Sequence, residues 1–213
     1  MIPANPASAV RGPKLSVQGG KTPVLAAAEA RQLLDSITTS TVVGLRDRAL
    51  IAVMIYSFGR VGAVTRMRVK DYYSQGRRAW FRLHEKGGKY LSVPAHHTAM
   101  EYVDAYLAAA GIADQPRAPL FRSAYKRTGK LIESGITANG ALRIMKRRSK
   151  DAGLPAELCC HTCRATGITA FLEGGGDVET AQFLAGHADP RTTKLYDRRR
   201  VTLTQDEIER IRI

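Results

Sequence analysis

Ala79-Trp80-Phe81-Arg82-Leu83, Lys86-Gly87-Gly88-Lys89 and Tyr90-Leu91-Ser92-Val93 form the stretch on which the fold class turns. β-Prone residues flank a glycine pair set among lysines, the pattern of two strands joined by a tight turn. This predicts a small hairpin, with a third strand near residues 71–74. On either side the apolar period is helical. Upstream, Leu25, Ala28, Leu33 and Leu34, then Leu45, Ala49, Ala52, Val53 and Tyr56, predict two core-facing helices. The second ends at Ser57-Phe58-Gly59, and a short helix follows from about Val61. Downstream, helical periods cover residues 97–110, 137–152 and 161–172. Another helix starts at Asp177, whose carboxylate can cap it after the run Gly174-Gly175-Gly176. A further helical stretch covers 192–197, and a last amphipathic helix covers 204–213, with Ile208 and Ile211 on one side. The expected fold is mainly α with one small antiparallel β-sheet, an α+β domain.

Composition narrows the partner. The 213 residues are 44% hydrophobic and 24% charged, enough for a real core. Lys and Arg number 33 against 19 Asp and Glu, a net charge of +14, which points to a polyanion. The positive charge is concentrated early: residues 1–100 hold 15 basic and 5 acidic side chains, whereas 101–200 hold 16 and 11. A face built for phosphates gathers charge in this way, so nucleic acid ranks first as partner and an anionic membrane surface second. No apolar run reaches the roughly 18 residues of a membrane span, and the start, Met1-Ile2-Pro3-Ala4, is not a signal peptide. A soluble intracellular protein is the expectation. Residues 1–24, rich in Pro, Gly, Ala and Ser, are expected to be a basic linker or arm, with the main domain over 25–213.

Several familiar chemistries fail on spacing. Gly19-Gly20-Lys21-Thr22 is a fragment of a phosphate-binding loop, but Leu15 stands where its first glycine belongs. Cys159, Cys160 and Cys163 are an odd number within five positions, not a disulfide framework, and with His161 they lack the second ligand pair of a zinc site. His84-Glu85 lacks the second histidine of a metalloprotease helix, since position 88 is glycine. Neither a metal nor another cofactor is expected.

The remaining candidates are cations, imidazoles and a phenol. His161-Thr162-Cys163-Arg164 puts an imidazole and a guanidinium on one helical face, able to converge on a small anion. Arg60 stands at a break between two apolar helices, directly after Gly59. Lys86 lies at the hairpin turn, where glycines permit close approach to a ligand. Gly186-His187 is followed, nine residues after the histidine, by Tyr196 within Thr192-Thr193-Lys194-Leu195-Tyr196.

In these residues the sequence resembles the tyrosine recombinases, also called phage integrases, and specifically their catalytic domain. The resemblance spans Pro23 to Ile213. It places the family's first active-site arginine on Arg60, its hairpin lysine on Lys86, its His-x-x-Arg box on His161 and Arg164, its Leu-Gly-His element on Ala185-Gly186-His187, and its nucleophile on Tyr196. It implies the catalytic-domain fold of that family and site-specific DNA cleavage and rejoining through a 3′-phosphotyrosyl link, without metal or ATP. It also implies a role in DNA recombination or integration and assembly as a tetramer on DNA through the C-terminal helix, the isolated chain being a monomer. Residues 1–24 would then be the remnant of a connection to a preceding DNA-binding domain.

General chemistry supports these roles. Paired arginines can stabilise the charge that develops on a phosphodiester in displacement. A phenol with a pKa near 10 needs a base and a positive field, which His161 and the arginines supply. Lys86 can protonate the leaving 5′-oxygen, and His187 can bind the phosphate and position Tyr196. Backbone phosphates are expected to meet Arg66, Arg68, Lys89, Arg191, Lys194, Arg198 and Arg199. Two positions depart from the family pattern. Ala63 stands where an acid that orients the site usually lies, and Cys163 replaces an aromatic. Two other readings stay open: a DNA-binding relative that does not cut, favoured by Ala63, and a metal-dependent nuclease, for which no carboxylate cluster is evident.

Overall fold

The computed structural model describes residues 22–85, 88–125, 128–187 and 189–197. The expected linker over 1–21, Lys86, Arg198, Arg199 and the expected helix over 204–213 lie outside them. Helix α2 (Val42–Tyr56) is the axis of the domain. Its run from Ala49 to Ile55 is buried on every side, and Leu50, Ile51, Val53 and Met54 are fully enclosed. Each such side chain contributes about 1.5–3 kcal/mol on burial, so α2 is held by packing all round and not by one amphipathic stripe. It contacts α1 (Ala27–Asp35), α4 (His97–Ala110), α5 (Ala138–Asp151) and α6 (Cys160–Glu173). Thr41 and Thr137 cap α2 and α5 by accepting the amide protons of Gly44 and Gly140.

The expected sheet forms. Strand β1 (Tyr72–Gln75) pairs with β2 (Arg78–His84), and β2 with β3 (Tyr90–Pro94), all antiparallel. Register sets Phe81 opposite Val93 and Leu83 opposite Leu91, so one face packs Phe81, Leu83 and Val93 into the core. Gly88 sits at φ +76°, a conformation that favours glycine at this turn.

One sheet was expected, and the described chain has two. Strands β4 (Arg122–Ala124) and β5 (Leu131–Gly135) pair separately as a second hairpin before α5. β4 has three residues, all half-buried, so it lacks the alternation by which a strand is read. Helix α7 (Val178–Ala185), capped by Asp177, packs against α6, and α8 (Pro190–Lys194) packs against α7 near the end of the described residues. There a second apolar cluster joins Phe58, Ala165, Ile168, Leu172, Ala181, Ala185 and Tyr196. Among the described residues no helix is long and apolar enough to cross a membrane.

Candidate active site

The site is built where three chain breaks meet. At the first, α2 ends in Ser57 and the chain turns through Phe58, the described non-glycine residue with positive φ, at +52°. That strained turn delivers the Phe58 carbonyl to Arg164 Nη1. Gly59 follows because a Cβ there would lie 2.5 Å from Val64 Cγ2 and 2.9 Å from Ser57 Oγ. Arg60 is the N-cap residue of α3 (Val61–Thr65) and projects outward.

The second break is the C-terminus of α7, where Gly186 closes the helix in the left-handed conformation at φ +58°. The last carbonyls of a helix are unpaired and carry its negative dipole end, a natural seat for cations. Arg164 Nη2 donates to Ala185 O at 2.6 Å, and Arg60 Nη2 reaches Gly186 O at 3.5 Å. Arg164 is only 1% exposed, yet both of its recorded acceptors are neutral carbonyls. Its fork is therefore fixed by carbonyls, while the nearby Glu85 carboxylate acts on its charge without a hydrogen bond to it among the described residues. Burial and the neighbouring Arg60 lower its pKa to about 10, so it remains a cation at neutral pH.

The third break follows α8. Tyr196 is 7% exposed and packs with Ala165 and Ile168 of α6, while its carbonyl accepts from Thr169 Oγ1 at 3.3 Å. Its hydroxyl lies 3.1 Å from His161 Nε2 on the first turn of α6. Burial holds the His161 pKa below its usual value, with Arg164 and Arg60 acting in the same sense. The imidazole is therefore neutral near pH 7, and its Nδ1–H tautomer can accept the phenolic proton. Burial raises the Tyr196 pKa and the two arginines pull it back, so the phenol is protonated at rest and needs that base. His187, stacked on Tyr196 at 6.2 Å between ring centroids, pairs through Nδ1 with Thr193 Oγ1 at 2.9 Å. Desolvation and the nearby cations lower its pKa to about 4.

Five of the six expected catalytic residues are thus brought together: Arg60, His161, Arg164, His187 and Tyr196. The sixth, Lys86, lies outside the described residues. The expected phosphate contacts scatter more. Arg66 and Arg68 are exposed but donate to carbonyls, Arg66 Nη2 to His84 O and Arg68 Nη1 to Arg117 O, each at 2.6 Å. Lys89, Arg191 and Lys194 are exposed on the hairpin and on α8. Cys163 is buried against Met145 Sδ at 3.7 Å, and burial raises its pKa, an unreactive packing thiol. Among the described residues no group of three or more His, Cys, Asp or Glu could hold a metal ion. Sequence reasoning missed the three anchoring carbonyls, which carry no residue signature. It also missed Glu85, whose carboxylate pairs with Arg60 Nη1; the absent acid at position 63 was the signal that could have prompted the search.

Known proteins share this architecture. A crystal structure of XerA recombinase superposes with a TM-score of 0.70 at 22% identity, over 90% of this chain and 64% of that one. XerH bound to difH substrate in a pre-cleavage complex gives 0.67 at 21%, over 90% and 54%. The fold is therefore that of the recombinase catalytic domain. The phage integrase family model matches residues 23–202, and the chain belongs to that family. Among curated relatives, tyrosine recombinase XerD of Listeria innocua is 30% identical over 176 residues, 81% of this chain and 57% of the relative. Tyrosine recombinase XerC of Myxococcus xanthus is 30% identical over 200 residues, 92% and 64%. The chain spans about six-tenths of the length of these relatives.

Proposed function

We propose that this chain is the catalytic domain of a site-specific DNA recombinase that cleaves and rejoins strands through Tyr196. The observation that carries the reading is the Tyr196 hydroxyl 3.1 Å from His161 Nε2, in the field of Arg60 and Arg164. In the forward step the Tyr196 oxygen bonds to phosphorus as the P–O5′ bond breaks. His161 Nε2 takes the phenolic proton, and Lys86 gives a proton to the leaving 5′-oxygen. The two guanidiniums stabilise the charge on the non-bridging oxygens. A 5′-hydroxyl attacking the 3′-phosphotyrosyl link reverses these steps, so rejoining needs no external energy source. Because Tyr196 meets the histidine and arginines of its own chain, cleavage is in cis.

The remaining assignments belong to the same reading. Residues 25–213 form the catalytic domain and 1–24 the linker. The partner is double-stranded DNA, met through Lys89, Arg191, Lys194, Arg198 and Arg199, and through Arg66 and Arg68 once they exchange carbonyls for phosphates. Assembly on DNA is tetrameric through residues 204–213, and the setting is the bacterial or phage-type nucleoid in the cytoplasm. The test is a nicked suicide duplex carrying a site that the protein binds. The expected product is a covalent protein–DNA adduct that persists in EDTA and is lost in Tyr196→Phe. Tight binding with no adduct would establish the non-cutting DNA-binding reading instead, and an adduct-free cleavage abolished by EDTA would establish a metal-dependent nuclease.

A further inference from the structure

We infer that Glu85 is a positioning residue for Arg60, turning its guanidinium toward the scissile phosphate from the hairpin side; this rests on the recombinase reading above. The two partners differ in freedom. The Glu85 side chain is 10% exposed and that of Arg60 is 43% exposed, so the carboxylate is the enclosed member and the guanidinium the outward one. Glu85 also stands on a braced frame. Its amide donates to Lys89 O at 2.8 Å across the hairpin, and its neighbour His84 is tied to Asp71 Oδ2 at 2.9 Å. Arg66 Nη2 adds a bond to His84 O at 2.6 Å. Arg60, by contrast, has one other recorded acceptor, Gly186 O, at the 3.5 Å limit of hydrogen bonding. A long side chain held by that contact alone would sample several rotamers, and bidentate recognition of phosphate requires a fixed fork.

Position 63 cannot do this work. Ala63 is 2% exposed and ends at a methyl group. Glu85 reaches Arg60 from a different element, 25 residues on, through Oε2 alone. Its Oε1 is buried without a hydrogen-bond partner among the described residues, so one oxygen performs the anchoring. The guanidinium keeps further N–H donors for a ligand after its bonds to Glu85 and Gly186. A carboxylate here has two opposed effects: it orders Arg60 for the displacement, and it lowers the positive charge that the DNA phosphate meets. Removing it should therefore slow chemistry while leaving ground-state binding equal or tighter, a split that a residue needed only for folding would not produce.

The experiment is single-turnover adduct formation by Glu85→Gln on the nicked suicide duplex, beside fluorescence-anisotropy binding at fixed salt and a thermal melt. Glutamine keeps the shape and removes the charge. The expected result is adduct formation at least about 10-fold slower, with DNA Kd unchanged or lower and a native melt. A second substrate carries sulfur at the 5′-bridging position, so that the leaving thiolate needs no protonation. The defect should persist there, because Arg60 acts on the phosphoryl oxygens. A wild-type rate in Glu85→Gln, or parallel loss of rate, binding and melting temperature, would overturn the assignment. Recovery on the sulfur substrate would overturn it too, moving the effect to leaving-group protonation. No adduct with the unmodified protein would instead overturn the recombinase reading.

Discussion

Two clusters of arginines sit on α2's two ends, and their buried guanidiniums are held in different ways. At the N-terminal end Asp47, fully buried, accepts Arg46 through Oδ1 at 2.6 and 3.0 Å. Its Oδ2 accepts Arg147 at 2.8 Å and Arg148 at 2.7 and 2.9 Å. Arg46 also donates to Arg122 O, which ties in the β4–β5 hairpin. This knot joins α2, α5 and the second hairpin around a carboxylate saturated with donors. At the C-terminal end, Arg164 is just as buried but is held by the carbonyls of Phe58 and Ala185. Carbonyl dipoles fix a guanidinium without cancelling its charge; a carboxylate does both. The first cluster thus gathers its arginines on one buried carboxylate, whereas in the second Glu85 pairs with the outward Arg60 and Arg164 keeps a fork bonded to carbonyls alone.

The sharpest way to separate the clusters is to break each at its centre. Asp47→Asn leaves three arginines without their shared charge, and loss of one partner of a buried ion pair costs about 3–5 kcal/mol. Urea unfolding should register this as a large drop in midpoint, while the adduct rate per folded molecule stays near that of the parent. Arg164→Lys should do the reverse to activity: the charge survives but the fork is lost, and adduct formation should fall about 10²–10³-fold, the scale for removing one oriented transition-state donor. If Asp47→Asn slowed cleavage as much as Arg164→Lys at equal folded concentration, the division into structural and reactive clusters would be wrong.

Smaller effects test how rigidly the second cluster is seated. Gly167 of α6 faces the end of α2, and a Cβ there would lie 2.0 Å from Ile55 O and 2.8 Å from Phe58 Cδ1. Gly167→Ala should destabilise by about 1–3 kcal/mol through overpacking. Because it pushes on the Phe58 turn that holds Arg164, it should also slow adduct formation, whereas Gly76→Ala on the exposed β1–β2 turn should leave the chemistry unchanged.

Proton linkage gives the smallest effect. His187 and His161 have folded pKa values below the unfolded value of 6.5, His187 at about 4. The unfolded chain therefore binds more protons in acid. The stabilisation from keeping the rings neutral is complete above pH 6.5 and is lost as pH falls toward 4. For His187 the loss should be about 1–2 kcal/mol after allowance for solvent screening, visible as a falling urea midpoint that His187→Gln flattens. Under the proposed mechanism cleavage should fall on the acid side, where His161 becomes protonated below its usual range, and hold a plateau through neutral pH, where Tyr196 stays protonated.

Much of this was legible along the chain. The apolar period of α2, the β pattern at 79–83 and 90–93 and the cap at Asp177 are local patterns, and each element formed within about three residues of its expected place, though the burial of α2 on every side was not read from it. Arg60, His161, Arg164, His187 and Tyr196 could be singled out because they match motifs of the family that the chain resembles, and the structure places them near one another. The short β4–β5 hairpin was not, since three half-buried residues carry no period.

The sequence by itself determined which chemical groups are available and in what order: two arginines, two histidines and a tyrosine, on helices whose apolar faces must bury. The tertiary structure decided what holds them. Whether a guanidinium meets a carbonyl or a carboxylate depends on distances across 106 residues for Arg164 and Phe58, 101 for Arg148 and Asp47, and 25 for Arg60 and Glu85. Local pattern cannot encode those pairings, because they arise only when packing of α2, α6 and α7 brings strand ends and helix termini to one place.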